Sequence, residues 1–435
     1  MIIAEVQTAS DDPLFARTLL RIFGMCFAIT LIDGFDTGAI GFIAPSLLSE
    51  WHLQRVALGP VLSAALLGLA CGAVFAGPIS DRFGRRLPLI GSVLVIGLGA
   101  LSSAYARDLL QLTALRFLTG IGLGAALPNA VTIMSEFTPY SRRATLTNLM
   151  SCGFPLGTAL GGFFSAWLIP RSGWQSVFLV GGAAPLVLSL LLYHSLPESL
   201  RYKLANEYTT KKTQAKLACT PVNSTNGEAL ATRYQPSTTD RQIGIKVVLS
   251  RSYIIGSFML WIAFFMGLII FYGSVNWMPV LLREAGLDSE RATLVSTLFP
   301  LGGVGAVVSG VFMDRFIAAR VIAICYALTA VSVYFIGQTV GNIERLVMVV
   351  FIAGIFMNTS QASMPALAAG FYPTEGRATG VAWMLGIGRF GGIAGSFLVA
   401  ELTRLNFSFE GIFAVMATAG IGSCAALIAL QWSHR

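Results

Sequence analysis

Four ionisable residues lie well inside long apolar segments: Asp33 and Asp36 in LIDGFDTGAIGF, Arg116 in LTALRFLTGIG, and Arg389 in MLGIGRFGGIAG. An unpaired charge in hydrocarbon costs from about 2.5 to beyond 10 kcal/mol, so charges at such depth mark a substrate or ion pathway. Asp33 and Asp36 are three residues apart and therefore share a helix face. Two carboxylates that close in a poorly hydrated site resist ionising together, which is the behaviour a proton-coupling site needs. A guanidinium keeps its charge when dehydrated and donates two parallel hydrogen bonds to a carboxylate. Acids and bases at depth therefore imply an anion carried with protons, with Arg389 as first candidate for the anion and Arg116 as second.

These residues need a membrane-spanning frame, and the composition supplies it. Of 435 residues, 55% are hydrophobic and only 11% charged, with a mean hydropathy of +0.73. Roughly 20 apolar residues span a bilayer as a helix. Apolar runs at about 19–48, 56–80, 87–106, 109–135, 144–168 and 174–195 precede a polar stretch, and 254–282, 292–313, 317–338, 345–369, 378–402 and 409–432 follow it. The expected fold is an all-α membrane protein of twelve transmembrane helices in two six-helix bundles, residues 1–196 and 253–435, joined by a cytoplasmic linker at 197–252. A transmembrane barrel would need alternating strands about half as long as these runs. The first run holds two aspartates and lacks a small-residue cleavage site, so it is read as a retained helix.

With the N-terminus inside, 20 Lys and Arg border the cytoplasmic ends and seven the outer ends. The positive-inside asymmetry puts both termini in the cytoplasm, in a bacterial cytoplasmic membrane. The formal charge of +8 is thus a topology signal, because the basic residues border helices and form no stripe for nucleic acid. Five of six cysteines lie within spans, with no metal-ligand spacing; no disulfide, metal or catalytic residue set is expected. GIGLGA at 120–125 imitates a dinucleotide fingerprint, but it sits inside an apolar helix with no preceding strand, where small residues serve helix packing. His52, His194 and His434 fall at span ends or the terminus, which argues against a histidine relay.

The halves repeat. GPISDRF at 77–83 returns as GVFMDRF at 310–316, and Pro139 with Arg143-Ala144-Thr145 returns as Pro373 with Arg377-Ala378-Thr379, at offsets of 233 and 234. At an offset of 234 Gly157 falls on Gly391 and Gly161 on Gly395, whereas Asp33 falls on Gly267, Arg116 on Val350 and Arg389 on Pro155. Residues required by the fold recur in both copies; these charges do not, which favours a role toward an asymmetric substrate.

GPISDRFGRR at 77–86, RFLTGIGLGAALPNAVTIMSEFTPYSRR at 116–143 and PESLR at 197–201 together resemble the major facilitator superfamily over essentially the whole chain. Within it, DGFDTGAIGFIAPSL in the first span, FYPTEGRATG at 371–380 and WMLGIGRFGGIAGSF at 383–397 are similar to the aromatic acid:proton symporter family, of the benzoate and hydroxybenzoate type. That resemblance implies a monomeric, proton-driven carrier of small aromatic acids that needs no cofactor beyond the proton gradient. It also implies that Asp81, Arg82, Arg85 and Arg86, with Gly77 and Gly84, and their weaker copy Asp314 and Arg315, stabilise one state of an alternating cycle. Asp81 is expected to pair with Arg85, Arg142 or the N-terminus of the eleventh span.

An aromatic substrate also needs apolar or stacking walls, for which Phe35, Phe42, Trp261, Phe264, Tyr272, Trp277, Trp383 and Phe390 are near the right depths, Phe35 and Trp383 being favoured. Asn276, Gln361, Asn358 and Ser360 are candidate partners for hydroxyl or carboxylate groups. Two rivals remain open. One is a proton-coupled exporter of drugs or other organic compounds, disfavoured because GFPLGTALGG lacks a Gly-Pro pair and two buried arginines repel cations. The other is a non-transporting receptor for the acid, disfavoured by the modest 197–252 loop.

Overall fold

A computed structural model describes residues 13–138, 146, 149–198, 246–305, 317–339 and 341–433. Twelve helices follow in order: α1 Pro13–Glu50, α2 Leu58–Phe83, α3 Arg86–Ser103, α4 Leu109–Phe137, α5 Gly153–Ser172, α6 Gln175–Ser195, α7 Ile254–Glu284, α8 Ser289–Leu301, α9 Ala318–Gln338, α10 Ile343–Phe371, α11 Thr374–Arg404 and α12 Phe409–Ser433. Eleven are long and apolar enough to cross a membrane. The exception, α8, continues as a 3-10 turn over Gly302–Gly305 before the described residues end. No strand occurs among the described residues. Large apolar side chains such as Leu110, Val74, Leu190 and Ile421 point outward, which is stable only against lipid. The chain is an integral, multi-pass membrane protein.

Local sequence sets the helix ends. Asp108, Asp288 and Asn342 sit in extended backbone just before α4, α8 and α10, and each side chain accepts the amide N–H three residues on, at 2.7, 2.8 and 3.1 Å. Such N-caps satisfy a donor that the helix itself cannot. All three lie at the end that the basic-residue asymmetry assigns to the outside. At the opposite end α2 stops at Gly84, whose φ of 82° is disfavoured for any residue with a Cβ.

The duplication is visible in the packing. Helix α1 packs on α5 as α7 packs on α11, α2 on α4 as α8 on α10, and α3 on α6 as α9 on α12. The glycine pairs of the repeat make the same contact twice. A Cβ on Gly157 would lie 1.8 Å from the carbonyl oxygen of Leu31, and one on Gly391 would lie 2.2 Å from that of Phe265. Leu31 and Phe265 are themselves related by the offset of 234. Gly161 meets Phe35 O and Gly395 meets Ile269 O in the same way. These glycines let helix backbones touch, and the charged positions that break the symmetry are carried on that common frame.

The bundles join along α1–α7, α2–α11 and α5–α8. Toward the outer end Arg55 forms an ion pair with Glu284, and Arg283 donates to the carbonyl of Pro45. Ala400 and Phe397 of α11 close over Gly59 of α2.

Candidate functional site

The deepest charges separate into two sets. Arg116 is fully buried, and its Nη1 and Nη2 donate to Asp36 Oδ1 and Oδ2 at 2.8 and 2.6 Å. Nη2 also reaches the carbonyl of Asp36 at 3.2 Å. The guanidinium carbon lies 5.6 Å from the ring centre of Phe178 on α6, which completes a cage inside the N-terminal bundle. In this conformation Arg116 and Asp36 therefore neutralise each other within the N-terminal bundle, while Arg116 Nε has no hydrogen-bond partner.

Asp33 takes the other role. It is 4% exposed, and its Oδ1 has no hydrogen-bond partner. Its carboxylate lies beside Thr37 one turn on and feels the charge of Arg389 on α11, with which it forms no direct ion pair in this conformation. Arg389 is only partly buried and also lies beside the hydroxyl of Tyr272 on α7. Three helices thus bring an acid, a base and a phenol into one region, with α7 packed against both α1 and α11. At the same level Tyr326 donates to Gln361 Oε1 at 2.7 Å, leaving Gln361 Nε2 buried and unpartnered. A Cβ on Gly267, the counterpart of Asp33, would lie 2.6 Å from both of those oxygens. Where the first half carries the acid, the second makes room for a neutral polar pair.

A small cleft opens just outward of these charges, between Thr37, Tyr272 and Asn276 on its polar side and Leu66, Leu69 and Leu123 on its apolar side. Asn276 Nδ2 donates to Ser396 Oγ at 2.9 Å, and Asn276 Oδ1 is buried without a partner. As closed here the cleft has room for about one water, some 10 Å³, and among its lining side chains it is Asn276 that carries a buried atom without a partner.

Other expected positions fall elsewhere. Phe35 packs inside the N-terminal bundle against Phe164, Gly161 and Gly181, away from the cleft. The reason is helical geometry: two residues past Asp33 is about 200° around the axis. Phe390, next to Arg389, points outward and is exposed. Trp383 stacks obliquely on Trp261 with ring centres 5.8 Å apart, about two turns along α11 from Arg389. Asn358 donates to the carbonyls of Phe299 and Gly354, and Ser360 to that of Phe356, so both serve packing.

In the loop after α2, the N–H groups of Arg85 and Arg86 donate to Glu198 at 2.9 and 3.1 Å, while the Arg85 side chain faces Glu136 at 3.9 Å. The Arg86 guanidinium donates to the carbonyl of Tyr193. PESLR therefore clasps GRR through its glutamate. The side chains of Asp81 and Arg82, and residues Arg142, Arg143, Asp314 and Arg315, lie outside what the structure describes.

Sequence reasoning missed Thr37 beside Asp33 and Phe178 beneath Arg116. Thr37 is one turn from Asp33, a signal in hindsight; Phe178 is remote in sequence and carries none.

The model of the Major Facilitator Superfamily matches residues 26–315 and 281–434. The chain belongs to that superfamily. It is 45% identical to the 4-hydroxybenzoate transporter PcaK of Pseudomonas aeruginosa over 417 residues, covering 95% of this chain and 93% of the relative. It is 43% identical to the gallate transporter of Pseudomonas putida, over 98% and 94% of the two chains. Among solved structures, the xylose transporter XylE from E. coli in a partially occluded inward-open conformation superposes with a TM-score of 0.72 at 17% identity, over 94% and 97% of the chains. That likeness concerns the fold. The superfamily member described here is built as a membrane transporter and not as an enzyme, and its resemblance to transporters named for aromatic acids holds over almost the full chain.

Proposed function

We propose that this protein takes up a small aromatic carboxylate, such as a hydroxybenzoate, together with protons by alternating access. The observation that carries the reading is the buried Asp33 carboxylate, one oxygen of which has no hydrogen-bond partner, in the electrostatic reach of Arg389, which lies beside the Tyr272 hydroxyl. Relatives at 43 to 45% identity named for 4-hydroxybenzoate and gallate support the substrate class. Arg389 binds the carboxylate. Asp33 accepts the proton, which removes a competing negative charge from the surroundings of Arg389 and leaves the guanidinium to the anion; loss of that proton to the cytoplasm restores the competing charge and expels the substrate. The Asp36–Arg116 pair holds α1 against α4 and so fixes where Asp33 stands. In this reading the protein works as a monomer in the cytoplasmic membrane with both termini inside, as the basic-residue asymmetry indicates.

Purified protein in liposomes tests this directly. Addition of 4-hydroxybenzoate under an inward proton gradient is expected to acidify the lumen, and collapsing the gradient is expected to stop accumulation. Flux indifferent to the gradient would remove the symport, and binding without flux would favour a receptor.

A further inference from the structure

Asn276 lies one helical turn outward of Tyr272 on α7, and both line the cleft between α1, α2, α4 and α7. Its amide orientation is determined by its neighbours. Ser396 Oγ donates to the carbonyl of Gly392 at 3.3 Å, so toward Asn276 it is an acceptor, and the group that meets it at 2.9 Å is the Asn276 NH2. Trp277 Nε1 donates to Ser396 O at 3.0 Å and holds the same segment of α11 in place. Asn276 Oδ1 is therefore a fixed acceptor. The residue is 2% exposed, and that oxygen has no partner within the protein. A buried acceptor left unpaired is costly and calls for a donor from outside.

The spacing says which donor. One turn of α7 separates the level of Tyr272 and Arg389 from that of Asn276, about 6 Å at 1.5 Å per residue. In a benzoate with a hydroxyl para to the acid, the hydroxyl oxygen also stands about 6 Å from the carboxyl carbon, close to that one-turn rise. Leu66, Leu69 and Leu123 line the same stretch, where the cleft, closed here to about one water's volume, must widen to take a ring. We infer that Asn276 reads the para-hydroxyl of the substrate, accepting its proton in a hydrogen bond to Oδ1, and so sets the preference for hydroxylated over bare aromatic acids. This rests on the proposed function, in which Arg389 holds the carboxylate.

The test compares 4-hydroxybenzoate, 3-hydroxybenzoate and benzoate as competitors of uptake by the full-length protein in liposomes. The wild type is expected to prefer 4-hydroxybenzoate over benzoate at least tenfold, with 3-hydroxybenzoate between them. Asn276→Leu is expected to erase that preference through weaker 4-hydroxybenzoate binding while benzoate uptake persists; Asn276→Ser, smaller and safer for folding, should shrink it in the same direction. Ser396→Ala removes the group that orients the amide and should shrink the preference, by less than Asn276→Leu does. A wild type that does not distinguish the acids, an Asn276 variant with the wild-type ratio, or equal loss of both acids in folded variants would overturn the inference while leaving aromatic acid transport intact. A wild type that carries none of the three would overturn the underlying reading as well.

Discussion

Arg116 gives both terminal nitrogens to the carboxylate of Asp36, whereas Asp33, one turn earlier on the same helix, keeps an oxygen with no hydrogen-bond partner. Two acids that look equivalent in sequence are thus unequal. One is committed to a closed pair within the N-terminal bundle; the other feels the charge of Arg389 of the opposite bundle and can respond to whatever arrives there.

Breaking the closed pair on one side strands a buried charge. Asp36→Asn or Arg116→Gln alone is expected to cost about 3–5 kcal/mol, read as a lower midpoint of thermal unfolding in detergent. The double variant should recover most of that loss. Additive losses would show that the two residues do not act as a pair.

Arg389→Ala should lower uptake by at least about a hundredfold with normal expression and a monodisperse elution profile, because the anion loses its cation in a poorly hydrated site. Arg389→Lys keeps the charge but not the planar fork and should restore only a small part. Near-normal uptake by Arg389→Ala would refute its role.

Asp33→Asn cannot exchange a proton. Accumulation driven by the proton gradient is expected to fall at least tenfold, while exchange of internal for external substrate continues. An Asp33→Asn protein that still accumulates against a gradient would place the coupling group elsewhere.

Gly157→Ala forces a carbon to within 1.8 Å of the Leu31 oxygen, and the helices must part, at a cost of about 2 kcal/mol or more. Gly391→Ala should do the same to the other half. Gly91 on α3 has nothing within 4 Å, and Gly91→Ala should be neutral or stabilise by up to about 1 kcal/mol. Equal effects at all three positions in a thermal unfolding assay would contradict the packing account.

At the outer end, the Arg55–Glu284 pair is partly exposed, so its contribution is at most about 1 kcal/mol. Glu284→Gln should therefore raise labelling of a cysteine introduced at Ser63, in the α2 stretch behind the closure, by no more than about fivefold. The swap Arg55→Glu with Glu284→Arg should return labelling to the wild-type rate.

Much of this was legible without coordinates. The twelve apolar runs, the duplication at an offset of 234 and the depth of Asp33, Arg116 and Arg389 all follow from hydropathy and spacing. The structure moved some edges: α1 runs on to Glu50, and α7 to Glu284. Periodicity also argued against Phe35 as a wall, since a residue two past Asp33 on a helix points away from it, but choosing by depth alone hid that constraint.

The amino-acid sequence by itself determined that charges had to be buried in a membrane frame, and on which helices, because hydrocarbon tolerates them only where a partner or a pathway exists. It also determined the glycine pairs that let α1 touch α5 and α7 touch α11. Tertiary structure alone decided which acid meets which base. Arg116 finds Asp36 across 80 residues of chain, and Asp33 comes under the charge of Arg389 from the other bundle. A helical period fixes the face on which a residue sits, but only the packing of that face against another helix fixes the neighbour it meets.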